Sequence, residues 1–205
     1  MQQGYEFTED WFSHVVPVWE QLFYSYAPSR ILEIGSYEGR STCFIIQSLA
    51  SARDMEIHCI DTWEGGVEHD RSAMSAVERR FDSNLARVRA STRHQVDFHK
   101  HKGLSSDVLA RLIANGSREH FDLIYVDGSH QAPDVLVDAV LSFQLPKVGG
   151  LLIFDDYVWS MGEQWEQDFY QMPKPAIDAF VNVFRRKLTL LQYPLYQLYL
   201  QKAAA

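Results

Sequence analysis

The sequence predicts an open, doubly wound α/β sheet of seven strands, mostly parallel, with an antiparallel C-terminal hairpin. Three observations predict it. Short apolar runs alternate with amphipathic helical stretches along the chain, the pattern of strand–helix–strand units. Two of the runs, "LIYV" at 123–126 and "LLIF" at 151–154, are continuously apolar, as strands buried on both faces must be. The chain then closes with "KLTLLQYPLYQLYLQK", two strand-like stretches around Tyr193-Pro194 that cannot both run parallel to their neighbours.

Each element has its own local reason. Residues 9–26 place Trp11, Phe12, Val15, Val16, Trp19, Leu22, Phe23 and Tyr26 on one helical stripe, with Thr8 as the expected N-cap. "RILEIG" is a short strand, "EGRSTCFIIQSLA" a helix and "EIHCID" a second strand. Residues 71–90 carry Met74, Val77, Phe81, Leu85 and Val88 on one side of a helix. "QVDFHKH" alternates as a strand, and "SSDVLARLIANG" is a helix with a serine cap and a terminal glycine. The strand "FDLIYVD", a helix at about 133–145, the strand "GLLIFDD", a mixed loop and a helix at about 175–187 lead into the hairpin.

At 205 residues the chain reads as one domain, with a helical cap over 1–29 and a core over 30–205. A net charge of -8 argues against nucleic acid or an anionic membrane as the main partner, because both call for a basic surface. No stretch approaches the roughly 18 apolar residues of a membrane span. Cys43 and Cys59 lack metal-ligand spacing and read as buried free thiols. The opening "MQQGYEFTED" is polar and acidic, unlike a signal peptide, so the cytoplasm is the expected compartment.

The strand tips carry the functional signal. In open α/β sheets ligands bind beyond the carboxyl ends of the strands. Here those ends read Glu33, Asp61, Asp127 and Asp155-Asp156. Unpaired buried carboxylates are costly, so acids there need ligand hydroxyls, a cation or helix N-termini as partners. In "LEIGSYEGRST", Gly35 and Gly39 bracket a tight turn into a helix, yet the pattern is not a dinucleotide GxGxxG, since Tyr37 replaces a glycine. Glu33 would repel a pyrophosphate and tolerate a cation. Asp61, ending the second strand, suits both hydroxyls of a ribose, a role that nicotinamide enzymes share.

With these residues in view, the chain resembles the class I S-adenosylmethionine-dependent methyltransferases, which have a seven-stranded Rossmann-like sheet. "EIGSYEGRST" is similar to the first motif of catechol O-methyltransferase-like enzymes, and "DGSHQAPDVLVDAVLSFQLPKVGGLLIFDDY" is similar to the macrocin-type sugar O-methyltransferases. The resemblance covers about residues 30–157 and implies S-adenosylmethionine as cofactor. By position it implies that Glu33, Gly35, Ser36, Tyr37, Gly39 and Ser41 form the methionine and ribose loop. Asp61 and Thr62 would hold the ribose, Trp63 would lie near the adenine edge, and Gly103, Leu104 and Ser105 would form the adenine-side turn. Asp127 and His130 would sit at the sulfonium end, with His130 as the base.

In metal-dependent members, acids at the positions of Asp127, Asp155 and Asp156 bind Mg²⁺ or another divalent cation, so the resemblance implies that ligand set. A base-only enzyme without metal stays open. His99 and His101, flanking Lys100, read as a solvated strand end rather than a ligand pair, and His69 is a candidate at the cleft mouth. Tyr157, Trp159, Trp165, Phe169 and Tyr170 are candidates to roof an acceptor pocket, with the 9–26 stripe as a second wall. The expected partner is a small-molecule acceptor, and a homodimer is open. An N-methyltransferase, a nicotinamide oxidoreductase and a silent cofactor-binding protein are the competing readings.

Overall fold

The computed structural model describes residues 4–66, 71–162 and 167–205. Its strands are β1 (Arg30–Ile34), β2 (Met55–Asp61), β3 (Val96–Lys102), β4 (Phe121–Val126), β5 (Pro146–Phe154), β6 (Leu188–Leu190) and β7 (Leu198–Lys202). They form one sheet in the order β3-β2-β1-β4-β5-β7-β6. β1 to β5 pair in parallel, and β7 runs antiparallel to both β5 and β6, as the hairpin predicted. The chain order reverses at β1, whose two neighbours are β2 and β4, so the ligand crevice falls there.

The helices are α1 (Val16–Tyr26), α2 (Arg40–Leu49), α3 (Met74–Ser91), α4 (Ser105–Ala114), α5 (Ala132–Ser142) and α6 (Pro173–Phe184). Strand alternation splits the core in two. Ile31, Ile57, Leu123, Tyr125 and Ile153 pack with Trp19, Ile45 and Phe81 of α1, α2 and α3. Leu32, Ile60, Ile124, Leu152 and Phe154 pack with Leu109, Ala139 and Phe180 of α4, α5 and α6. Both cysteines are buried free thiols. No helix among the described residues is long and apolar enough to cross a membrane.

Two caps differ from expectation. The first helix starts at Val16, with a proline in its first turn, and Thr8 instead gives its N–H and hydroxyl to Glu38 at 2.6 and 2.8 Å. Residues 8–12 therefore form an irregular, bent segment that leads through a 3-10 turn at Ser13–Val15 into the helix. α4 begins at Ser105 itself and its cap position is Leu104, without a side-chain bond. The preceding Gly103, at φ 149, adopts a backbone that disfavours side chains and sets the turn.

Candidate active site

Beyond the carboxyl ends of β1, β2, β4 and β5 lies a cleft of about 970 Å³. That is room for a nucleoside-sized ligand and a second small molecule. The β1–α2 loop forms its floor. Gly35 has φ 83, and a Cβ there would fall 1.7 Å from the carbonyl oxygen of Asp127, so only glycine lets the two strand tips meet. Gly39 serves as the left-handed cap of α2 and does not line the cleft.

At the β1–β2 side the acids are fully matched by donors. Glu33 is wholly buried and accepts hydrogen bonds from Ser36 Oγ at 2.7 Å, Ser41 Oγ at 2.6 Å and the Thr42 hydroxyl. Burial raises its pKa, and those hydroxyls oppose the rise. The expectation that Glu33 lines the ligand site is corrected: its carboxylate points under α2 and anchors the loop from below. Asp61 lines the cleft, where Oδ2 accepts the N–H groups of Ser36 and Tyr37 at 2.8 and 2.9 Å and Oδ1 accepts that of Trp63 at 2.7 Å. This last bond accompanies a left-handed Trp63, φ 49, and turns its side chain inward. The indole is 3% exposed, donates to Tyr37 O at 3.0 Å and stacks against Phe81, with Lys100 4.4 Å from the ring. Trp63 is therefore part of the wall behind the loop, not an edge of the cleft. Ser36, Tyr37, Ser41, Thr62, Gly103, Leu104 and Ser105 do line it, as expected.

At the β4–β5 side the acids crowd one another. The Tyr125 hydroxyl lies 2.9 Å from Asp127 Oδ2 and also bonds to Asp155 Oδ2. Gln197 Nε2 donates to the same Asp155 oxygen at 2.9 Å, while its Oε1 accepts from Trp19 Nε1 at 2.8 Å. Burial, then the charges of Asp155 and Asp156, push the Asp127 carboxyl well up. Burial and Asp156 likewise raise Asp155.

His130 Nε2 lies 2.8 Å from Asp156 Oδ2, with the ring 4.2 Å from that of Trp159. One donor atom each from Asp127, His130 and Asp156 lie within 4.8 Å of one another. All three expected aspartates line the cleft. Asp155 is held there by Tyr125, Gln197 and the Asp156 N–H, and His130 joins Asp127 and Asp156 in the tighter group.

Trp159 reaches the cleft from the aromatic loop, whereas Tyr157 turns to Asp178, and Phe169 and Tyr170 are exposed away from it. His69 and Trp165 lie outside the described residues. The 9–26 stripe does contribute a wall, through its first two members Trp11 and Phe12, which lie ahead of the helix, and Trp11 packs on Tyr37 at 5.1 Å.

Four residues were not read from sequence. Tyr125, Tyr196 and Gln197 are polar groups inside apolar strand-like runs, a signal that their polar atoms need partners. Tyr196 donates to Asp156 Oδ1 at 3.2 Å. Asp138, on α5, lines the cleft while 2% exposed, and burial pushes its pKa up to about 7.

A family model described as a methyltransferase domain matches residues 32–157, and the chain belongs to this family. The fold is shared with solved methyltransferases, two of the following three being O-methyltransferases. TomG from Streptomyces achromogenes, in complex with SAM, is 19% identical at a TM-score of 0.66 over 95% of this chain and 82% of that one. A Bacillus cereus enzyme in complex with SAH is 19% identical at a TM-score of 0.62, covering 95% and 84%. Podospora anserina PaMTH1, bound to SAH, is 18% identical at 0.60, covering 93% and 79%. No curated protein sequence matches. The chain is a methyltransferase.

Proposed function

We propose that this methyltransferase moves the methyl group of S-adenosylmethionine to a hydroxyl of a small molecule, assisted by a divalent cation. The observation that carries this reading is the pairing, in one cleft, of a loop-and-Asp61 cradle with the Asp127–His130–Asp156 group across the β1–β4 junction. Crowded carboxylates suit a sulfonium and a cation, and they disfavour a pyrophosphate. Asp61 and the Ser36–Tyr37 backbone would bind the ribose, and Leu104 and Ser105 the adenine end. Trp11, Tyr37, Trp159 and Tyr196 would wall the acceptor.

The donor set fits a cation: the two carboxylates of Asp127 and Asp156 and one imidazole, with burial and the neighbouring acids opposing the charge of Asp127. One nitrogen among the oxygens favours Mn²⁺ or Zn²⁺ alongside Mg²⁺. When bound, such an ion supplies Lewis acidity that lowers the pKa of a hydroxyl. The acceptor hydroxyl would release its proton to solvent, and its oxygen attacks the methyl carbon in line as the sulfur–carbon bond breaks, leaving S-adenosylhomocysteine.

The 2.8 Å His130–Asp156 contact favours a second reading without metal. There the imidazole takes the acceptor proton, and Asp156 orients the ring and stabilises the imidazolium.

Calorimetry with S-adenosylhomocysteine and with NADH tests the cofactor: the first should bind with one site and the second should not. Tight NADH binding would overturn the reading. Turnover after EDTA, then after Mg²⁺ or Mn²⁺, separates the two mechanisms. Activity lost and restored supports the cation, and activity unaffected supports the histidine–aspartate pair.

A further inference from the structure

Away from the cleft, on the α4 face of the sheet, β2 and β3 bring together an unusual set of side chains. Glu56 and His58 share that face by strand alternation, and the parallel register sets His58 beside His99 and Ile60 beside His101. His58 Nε2 lies 2.8 Å from Glu56 Oε1, and His120 Nε2 lies 2.9 Å from the same oxygen. The His58 and His99 rings are 4.2 Å apart, and His101 Nε2 is 3.0 Å from His58 Nδ1. One donor atom each from Glu56, His58 and His99 lie within 4.8 Å of one another. None of the three lines the cleft.

We propose that Glu56, His58 and His99 form a binding site for a divalent transition ion of the Zn²⁺ class, separate from the methyltransferase cleft. Two imidazole nitrogens and one carboxylate oxygen are the donors such ions select, and Mg²⁺ does not. Ligand atoms around a tetrahedral zinc stand about 3.3 Å apart, given bonds of roughly 2.0–2.1 Å, so small side-chain movements close the group.

Charge and access agree. Glu56, together with Asp97 Oδ1 at 3.3 Å from His99 Nε2, balances two positive charges, although the charge of Arg111 on α4 also reaches His101. His99 is 41% exposed and gives the ion a way in. With the ion on Nε2, His58 keeps its proton on Nδ1 and donates it to His101, which fixes the ring as outer partners of metal-bound histidines do. Such an ion would pin the edge strand β3 to β2.

The test uses the full chain, stripped with chelator, in an Asp156→Asn background that disables the cleft group. Calorimetric titration with ZnCl₂ should show one saturable equivalent, with a rise in melting temperature. Adding His99→Gln should weaken Zn²⁺ by a hundredfold or more, beyond the ~10–100-fold loss of an outer partner expected for His101→Gln. Glu56→Gln should do the same as His99→Gln, and circular dichroism without zinc checks that each variant is folded. No saturable binding in the Asp156→Asn background overturns the proposal, as does binding that neither His99→Gln nor Glu56→Gln weakens.

Discussion

The two halves of the cleft contain the same kind of residue and treat it in opposite ways. At the β1–β2 tip every carboxylate is answered: Glu33 by three hydroxyls and Asp61 by three backbone N–H groups. At the β4–β5 tip Asp127 and Asp155 share the Tyr125 hydroxyl with Asp156 close by, and Asp127 and Asp155 are pushed towards protonation. An acid saturated with donors holds a shape. An acid crowded by its own kind stores unfavourable charge that a cation, a proton or a sulfonium relieves. The first tip is therefore scaffold and cradle, and the second is where chemistry would be done.

The largest expected effect falls on the second tip. Replacing His130 by Ala should lower turnover by about 10²–10⁴-fold, with the melting temperature changed little, as steady-state kinetics and calorimetric melting would read. Turnover within threefold of wild type would remove His130 from the chemistry. At the first tip the effect should be on the fold instead. Glu33→Ala strands the Ser36, Ser41 and Thr42 hydroxyls around a cavity, which should cost about 3 kcal/mol or more in urea unfolding. A negligible loss would mean that the first tip is not scaffold.

Asp138 sharpens the contrast, being a buried acid on the cleft wall whose Oδ1 has no hydrogen-bond partner among the described residues. Its folded pKa, about 7, lies above the ordinary value of 3.8. The stability linked to it is present below about pH 4 and lost as pH rises through about 7. Asp138→Asn should remove that loss, making the variant about 2–4 kcal/mol more stable than wild type at pH 8, relative to the pair at pH 4. Parallel stability–pH curves for the two proteins would contradict this.

Much of this contrast was legible in the sequence. Strand alternation and the apolar runs specify the sheet, and the acids at four strand ends locate the cleft. What sequence could not supply is direction. Glu33 and Asp61 both end strands, yet alternation points Glu33 under α2 while the loop amides hold Asp61 at the cleft. Asp155 and Asp156 are neighbours that both line the cleft, yet Gln197, forty-two residues on, captures Asp155 while His130 and Tyr196 take Asp156. Such long-range partners are set by strand register and hairpin placement, which local patterns do not encode. Trp63 was misplaced for a related reason, because its left-handed backbone depends on the Asp61 side chain.

The division of labour between the two tips is tested most directly by titrating S-adenosylhomocysteine into wild type, Asp61→Asn and Asp156→Asn. Affinity should fall about tenfold or more in Asp61→Asn, the loss of about one good hydrogen bond, and stay within about threefold in Asp156→Asn. Equal losses in both variants, or no loss in Asp61→Asn, would contradict the separation of cradle from chemistry.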